Sequence, residues 1–328
     1  VFTANFYSGG TSESTTKWVL CVLVDRCHLR RYMQLHKIYE ENLMLLASMI
    51  QGQLESNPPA TVVSLVNSKV ELFSYRISFL TRCKAPRWEF KNTFFGDSPL
   101  HLNKEFLNRV ITSHLQTHCC SVVVGSSEED IDKINTLINT LMLFLSTEER
   151  QLCSHVRKDE YFIPNLLLQG MIGDFDKTLT LRSIRPTSVI DVSRMTIFQI
   201  CAVRQHSKAR EIFATYDIES IDKANANKAV PDLIREDNLF KPFKEASSYV
   251  CGLVTEVYSV PVQLRVSHIQ NFRGFLERKA VLLIRSVERL GDKKANTDTL
   301  NSAILKRIKT DILRLGNEAD FALILAIA

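Results

Sequence analysis

Cys119-Cys-Ser-Val-Val-Val-Gly-Ser-Ser-Glu-Glu-Asp130 is the stretch on which the fold class turns. Cys119–Val124 is a short apolar, β-branched run of the kind that forms a buried strand. Gly125-Ser126-Ser127 turns the chain. Ser127-Glu-Glu-Asp130 then has the spacing of a capping box, in which side chains satisfy the free amides of a helix start. Ile131, Ile134, Leu137, Ile138, Leu141, Met142 and Leu145 follow at helical spacing, and Phe106, Leu107, Val110, Ile111, His114 and Leu115 do the same upstream. Helix, strand, short turn and helix make the unit of a parallel sheet, so the sequence predicts an α/β fold.

Toward the N-terminus, Phe2–Tyr7 and Lys17–Val24 read as strands around a turn cluster at Ser8–Ser12. Asp25 stands where an N-cap belongs. Leu29, Tyr32, Met33, His36, Tyr39, Leu43, Leu46, Ala47 and Ile50 then mark one long amphipathic helix, which Asn57-Pro58-Pro59 stops. A second helix is expected from Thr61, with Val62, Leu65, Val66, Phe73 and Ile77 on one stripe. Residues 79–102 hold no sustained period and read as a linker, which divides the chain into units at 1–78 and 103–328.

Toward the C-terminus, residues 161–200 contain short apolar runs at Phe162-Ile163, Leu166–Leu168, Leu179–Leu181 and Ser188–Val192, read as short strands that complete an α/β core over 103–200. Residues 201–264 read as a loop-rich connection, with Asp222–Lys228 its least structured stretch and a mobile loop by expectation. Residues 265–328 are helical: Phe272, Leu276, Ala280, Leu283, Val287 and Leu290 share one face, Leu300, Ile304, Ile308, Ile312 and Leu315 a second, and a last helix starts near Asp320. The chain opens on Val1 and closes on the uncapped apolar run Phe321–Ala328. Both ends read as cuts through a longer protein, so the N-terminus says nothing about a signal peptide.

Composition narrows the function classes. A length of 328 residues fits about two domains. The net charge of +5 is mild and gives no nucleic-acid footprint. Glycine numbers only 11 and no G-x-G occurs, which excludes the dinucleotide fingerprint and the phosphate loop, since both cradle phosphate with clustered glycine amides. The 8 cysteines include no C-x-x-C pair and sit mostly in apolar stretches, as reduced core thiols of a cytosolic protein do. No apolar run approaches the ~20 residues of a membrane helix.

The candidate reactive groups are few. His114 and His118, with Cys119 and Cys120, form the sharpest metal-like cluster, because histidines four apart on a helix can share zinc. Thr117-His118 falls between helix and strand, however, which favours one core-facing and one surface histidine. Gly125-Ser126-Ser127 could seat an anion at a helix N-terminus, but it lacks a lysine and runs into Glu128-Glu129-Asp130. Cys153 and His155 are neighbours in sequence only. Arg182 and Arg185 have arginine-finger chemistry, and Lys293-Lys294 with Lys306-Arg307-Lys309 makes the C-terminal part basic, either a solvated face or a contact for anionic lipid or an acidic partner. Nothing assembles reaction machinery, and no cofactor is expected.

Residues 107–152 are the most specific feature. Ser113-His114-Leu115-Gln116-Thr117, then Cys120-Ser121-Val122-Val123-Val124-Gly125-Ser126-Ser127, then Leu143-Phe-Leu145 with Thr147 and Glu149-Arg150, resemble the chromosome 9 open reading frame seventy-two family, longin–DENN proteins linked to amyotrophic lateral sclerosis and frontotemporal dementia. Arg278-Lys279-Ala280 with Leu283-Ile284, and Asp320–Leu325, are similar to the family's C-terminal DENN helices. The unit at 17–54 is similar to the second half of its longin domain. Relative to the family, the chain lacks the first half of the longin domain and the tail after Ala328, and His118-Cys119 departs from the pattern.

The resemblance implies a partial longin domain followed by a DENN module, an α/β core with C-terminal helices. It implies regulation of small GTPases of the Rab or Arf class, mostly by guanine-nucleotide exchange, with no covalent chemistry. It implies a heterodimer with a second longin–DENN protein, a WD40-repeat partner, and work in autophagy and endolysosomal traffic. The place would be the cytoplasm, with peripheral association to endosomes, lysosomes and autophagosomes. An alternative within the family is a non-catalytic scaffold of a GTPase-activating complex whose catalytic arginine sits on a partner, so neither Arg182 nor Arg185 inherits that role. Zinc binding through His114 and His118 is the remaining alternative.

Overall fold

β1 (Phe2–Ser8) and β2 (Thr16–Val22) pair antiparallel, with Phe2 opposite Val22 and Ser8 opposite Thr16. The structure, a computed structural model, describes residues 2–8, 16–56, 66–67, 70–71, 73–75, 78, 86–96, 102–157, 162–200, 203–215, 239–291 and 306–328. Beyond β2, the Asp25 carboxylate accepts the Cys27 amide at 3.0 Å and starts a 3-10 turn that runs into α1 (Leu29–Ser56). The capping role expected of Asp25 is therefore filled, one turn ahead of the α-helix proper.

α1 covers two different surfaces. Its C-terminal half buries Leu43, Leu46, Ala47 and Ile50 against Leu20 and Val22 of β2 and against Phe73. Its N-terminal half buries Tyr32, Leu35, Ile38 and Tyr39 against Ile163 and Leu166 of the second unit. The buried stripe differs from the expected one at its start: Leu35 and Ile38 face inward, whereas Leu29 and Met33 are 43% and 51% exposed. Periodicity gives the pitch of an apolar stripe, and the surfaces it must cover set its phase. The described residues of the next helix, including Val66 and Phe73, are helical; Val62, Leu65 and Ile77 lie outside the described residues.

The described part of the 79–102 linker, residues 86–96, packs onto the second unit. The Trp88 indole donates to the Asn139 carbonyl at 3.0 Å, the Phe94 amide donates to Thr140 Oγ1 at 2.9 Å, and Phe94 and Phe95 are buried. Gly96 permits this turn, since a Cβ there would clash with the Phe90 carbonyl oxygen.

The second unit contains α2 (Lys104–Gln116), β3 (Ser121–Gly125), α3 (Ile131–Leu141), β4 (Cys153–Ser154), β5 (Leu168–Ile172), β6 (Ser188–Asp191), β7 (Thr196–Gln199), α4 (Val203–Thr215), β8 (Lys241–Pro242), α5 (Ser248–Ser259), α6 (Val262–Gly291) and α7 (Glu318–Ile327). The sheet runs β4-β5-β3-β6-β7-β8. β3 lies parallel to both β5 and β6, and β4 parallel to β5, while β7 and β8 add on antiparallel. The parallel unit read from Cys119–Asp130 is present. Side chains alternate along β3 as a strand requires. Val123 joins α2 and α3 in the main core, and Val122 and Val124 pack on the other face with Phe162 and Val189.

Several local expectations change. Leu179–Leu181 lies in a 3-10 helix (Lys177–Arg182), started by the Asp176 carboxylate accepting the Thr178 amide, so an N-cap overrides a two-leucine strand signal. Phe162-Ile163 is buried but unpaired in any sheet; Gln169 Oε1 accepts the Ile163 amide instead. The connection at 201–264 contains α4 and α5. α4 is polar apart from positions such as Ala209 and Ile212, and that thin stripe hides its period. Asp222–Lys228 lies outside the described residues. Ile308–Ile312 forms a π-turn rather than the end of a regular helix, and Arg314 follows with φ 52°.

α7 is latched to the start of α5 by one carboxylate. Asp320, fully buried, accepts from Ser247 Oγ at 2.6 Å, from the Ser248 amide at 2.8 Å and from Ser248 Oγ at 2.7 Å. It caps the N-terminus of α5 from α7, where negative charge meets the positive end of the helix dipole.

Candidate functional site

Ser113 and Thr117 lie one turn apart on the buried side of α2, facing β6 and β7. Ser113 Oγ donates to Gln199 Oε1 at 2.8 Å and meets Ser188 Oγ. Thr117 Oγ1 lies 2.9 Å from the carbonyl of Ser113 and 2.9 Å from that of Cys120, and touches Ser188 Oγ at 3.1 Å. Gln199 Nε2 donates on to Gln116 Oε1, and Gln116 Nε2 donates to the Ala319 carbonyl in α7. Thus Ser113, Gln116 and Thr117 tie the end of α2 to β6, to β7 and to the C-terminal helix. Leu115 is buried in the same core and Val122–Val124 fill both faces of β3. Cys120 is buried beside them with its thiol toward the His118 carbonyl.

The two histidines go separate ways. His114 is wholly buried, its Nδ1 2.9 Å from Ser121 Oγ and its Nε2 unpartnered. Burial pushes its pKa down to about 3, so it stays neutral. α2 ends at Gln116, and His118 and Cys119 follow in left-handed backbone with φ 52° and 62°. Helical i, i+4 spacing therefore breaks before His118. His118 is half-buried, its pKa lowered by desolvation and by nearby Arg185. Among the described residues no cluster of His, Cys, Asp and Glu is arranged to hold a metal.

The turn after β3 is closed to anions. Ser127 makes no side-chain cap, which corrects the capping-box expectation. The Asp130 carboxylate instead accepts the Ser126 amide at 3.1 Å and the Ser193 hydroxyl at 2.6 Å. These contacts hold the Asp130 pKa below its usual value, the Ser193 hydroxyl contributing most. A carboxylate already sits where a phosphate would be needed. Gly125 leaves the room, since a Cβ there would lie 2.6 Å from that of Asp130.

Cys153 and His155 form no dyad. His155 Nε2 is 2.9 Å from Asn139 Oδ1, and burial raises the Cys153 thiol well above its ordinary pKa. Cys119 is likewise pushed up to about 12, mainly by desolvation. Neither is a thiolate nucleophile at neutral pH. Lys309 is spent on Glu318 at 2.6 Å, Lys306 and Arg307 are exposed, and Lys293-Lys294 lies outside the described residues.

Arg182 ends its 3-10 helix. Arg185 borders two adjoining cavities, treated together as a two-lobed groove, at the N-terminal ends of the parallel strands. One lobe, ≈ 190 Å³, lies against α6 and α7 and includes Leu115, His118, Phe272 and Arg273. The other, ≈ 230 Å³, lies against Ile38 of α1 and includes Leu152, Asn165 and Leu167. Glu149 and Arg185 border both. Sequence reading did not find this groove, because its residues come from seven separated segments.

A strand pair and long helix set before a parallel-rich sheet with C-terminal helices is the longin–DENN arrangement of an α/β protein. The model of the C9orf72-like protein family matches residues 1–206, and the chain belongs to that family. It is 26% identical over 316 residues to the guanine nucleotide exchange factor C9orf72 of Homo sapiens and to the C9orf72 homologues of Mus musculus and Rattus norvegicus. The match covers 90% of this chain and 64% of each relative's length.

Proposed function

We propose that the protein regulates small GTPases, as a guanine-nucleotide exchange factor of the Rab class. The observation that carries this reading is the similarity, along most of the chain, to proteins named guanine nucleotide exchange factors. The geometry agrees with action by binding. The Ser113, Gln116, Thr117 and Ser121 side chains of the family block are engaged in internal hydrogen bonds, and the buried histidine and thiols are held neutral. Exchange needs no covalent chemistry. It needs a surface that binds the nucleotide-free GTPase better than the loaded one, because a ligand shifts an equilibrium only by its differential affinity.

The setting proposed from the family resemblance is a complex with a second longin–DENN protein and a WD40-repeat protein. Its place is the cytoplasm and the surfaces of endosomes, lysosomes and autophagosomes. Affinity for one GTPase in three states discriminates the roles. An exchange factor prefers the nucleotide-free form over the GDP and GTP-analogue forms. Preference for the GTP-analogue form would replace exchange with the scaffold role in a GTPase-activating complex.

A further inference from the structure

We propose that the two-lobed groove between α1 and the N-terminal ends of the parallel strands binds an extended peptide segment, seating a carboxylate on Arg185 between two apolar side chains. Charge selects the acidic centre. Arg185 is exposed and makes no ion pair among the described residues, whereas the neighbouring Arg273 is already matched by Glu149 at 3.7 Å and Glu277 at 3.0 Å. The Glu149 carboxylate is further engaged by the Ser146 amide at 2.8 Å, so Arg185 is the open cation at the waist. Apolar walls flank it on both sides, with Leu115 and Phe272 in one lobe and Ile38 and Leu167 in the other.

Backbone geometry marks the same place. Five non-glycine described residues have positive φ, and three of them, His118, Cys119 and Asn165, line this groove. Side chains held in left-handed backbone gather where a ligand clamp is built. Asn165 does such building: its amide donates to Ser183 Oγ at 3.2 Å and its Oδ1 accepts the Ile184 amide at 2.8 Å, which fixes the turn presenting Arg185.

Each lobe alone is smaller than a small-molecule pocket of roughly 300 Å³ or more. Two small apolar lobes about one cation suit three alternate side chains of an extended chain, i, i+2 and i+4 on one face, with the middle one facing Arg185. A fatty acid carries its charge at one end and would leave one lobe empty. The inference is independent of the exchange reading.

Fluorescence anisotropy of the full chain with labelled Ser-Leu-Ser-Asp-Ser-Leu-Ser, and with the same peptide carrying Asn or Lys at the centre, tests it. The Asp peptide binds saturably and the Asn peptide about tenfold more weakly, the size of one charged hydrogen-bonded contact. Arg185→Glu, an exposed change that keeps the melting temperature, reverses the order so that the Lys peptide binds best. Equal binding of Asp and Asn peptides, absence of saturable binding, or an Asp preference that survives Arg185→Glu overturns the proposal.

Discussion

His114 shows how one residue carries both a legible and an illegible part. Its place on the buried stripe of α2 follows from spacing with Phe106, Val110 and Ile111. Its partner, Ser121, is seven residues away across a left-handed turn that no local pattern announces. The buried imidazole has a folded pKa of about 3 against an ordinary 6.5, so the unfolded chain binds the extra proton as pH falls. The stabilising difference is complete above pH 6.5 and declines as pH falls from 6.5 toward 3. From pH 7.5 to 5.5 His114 alone should remove about 1.4 kcal/mol from the urea-unfolding free energy. His206, also buried and lowered to about 4 by desolvation, acts in the same direction. His114→Gln should flatten the slope; an unchanged slope would show that His114 does not titrate this way. Asp320 looked like an ordinary helix-start acid in sequence. In the structure it receives three hydrogen bonds from Ser247 and Ser248. Asp320→Ala leaves those donors buried without an acceptor and should cost about 3 kcal/mol, read from the shift in urea midpoint.

Among the elements, β3 and α3 were readable because strand, turn and helix follow one another without a break. α3 sits on the sheet because β5 offers no side chain at Gly170. A Cβ there would meet Val156 at 2.7 Å and Ile134 and Ile138 at 2.9 Å. Gly170→Val should therefore destabilise the protein by about 1–3 kcal/mol through overpacking. Gly252, inside α5 with open space where a Cβ would go, behaves in the opposite sense. Gly252→Ala should raise stability by about 0.8 kcal/mol through helix propensity alone, and thermal melts of the two variants check both signs. Elements whose stabilising contacts come from far away were less legible. α4 has a thin apolar stripe, β4 has two residues, and the 3-10 helix at Lys177–Arg182 depends on the Asp176 cap rather than on its leucines. The same reason turns α1: its N-terminal half is phased by Ile163 and Leu166, more than a hundred residues downstream.

On the scale of the whole molecule, the sequence carried the α/β class and the family block, but not the function of that block. The block carries the family resemblance in sequence, and its Ser113, Gln116 and Thr117 form a polar seam that joins α2, β6, β7 and α7. Such a buried seam fixes how the helices sit on the sheet without offering a reactive group. Fluorescent-GDP release from a panel of Rab GTPases, with the protein alone and with the proposed longin–DENN partner, is the direct measurement of the proposed exchange activity. For at least one GTPase, release should accelerate about tenfold or more, equivalent to about 1.4 kcal/mol off the release barrier. Unchanged release across the panel under both conditions would contradict the account.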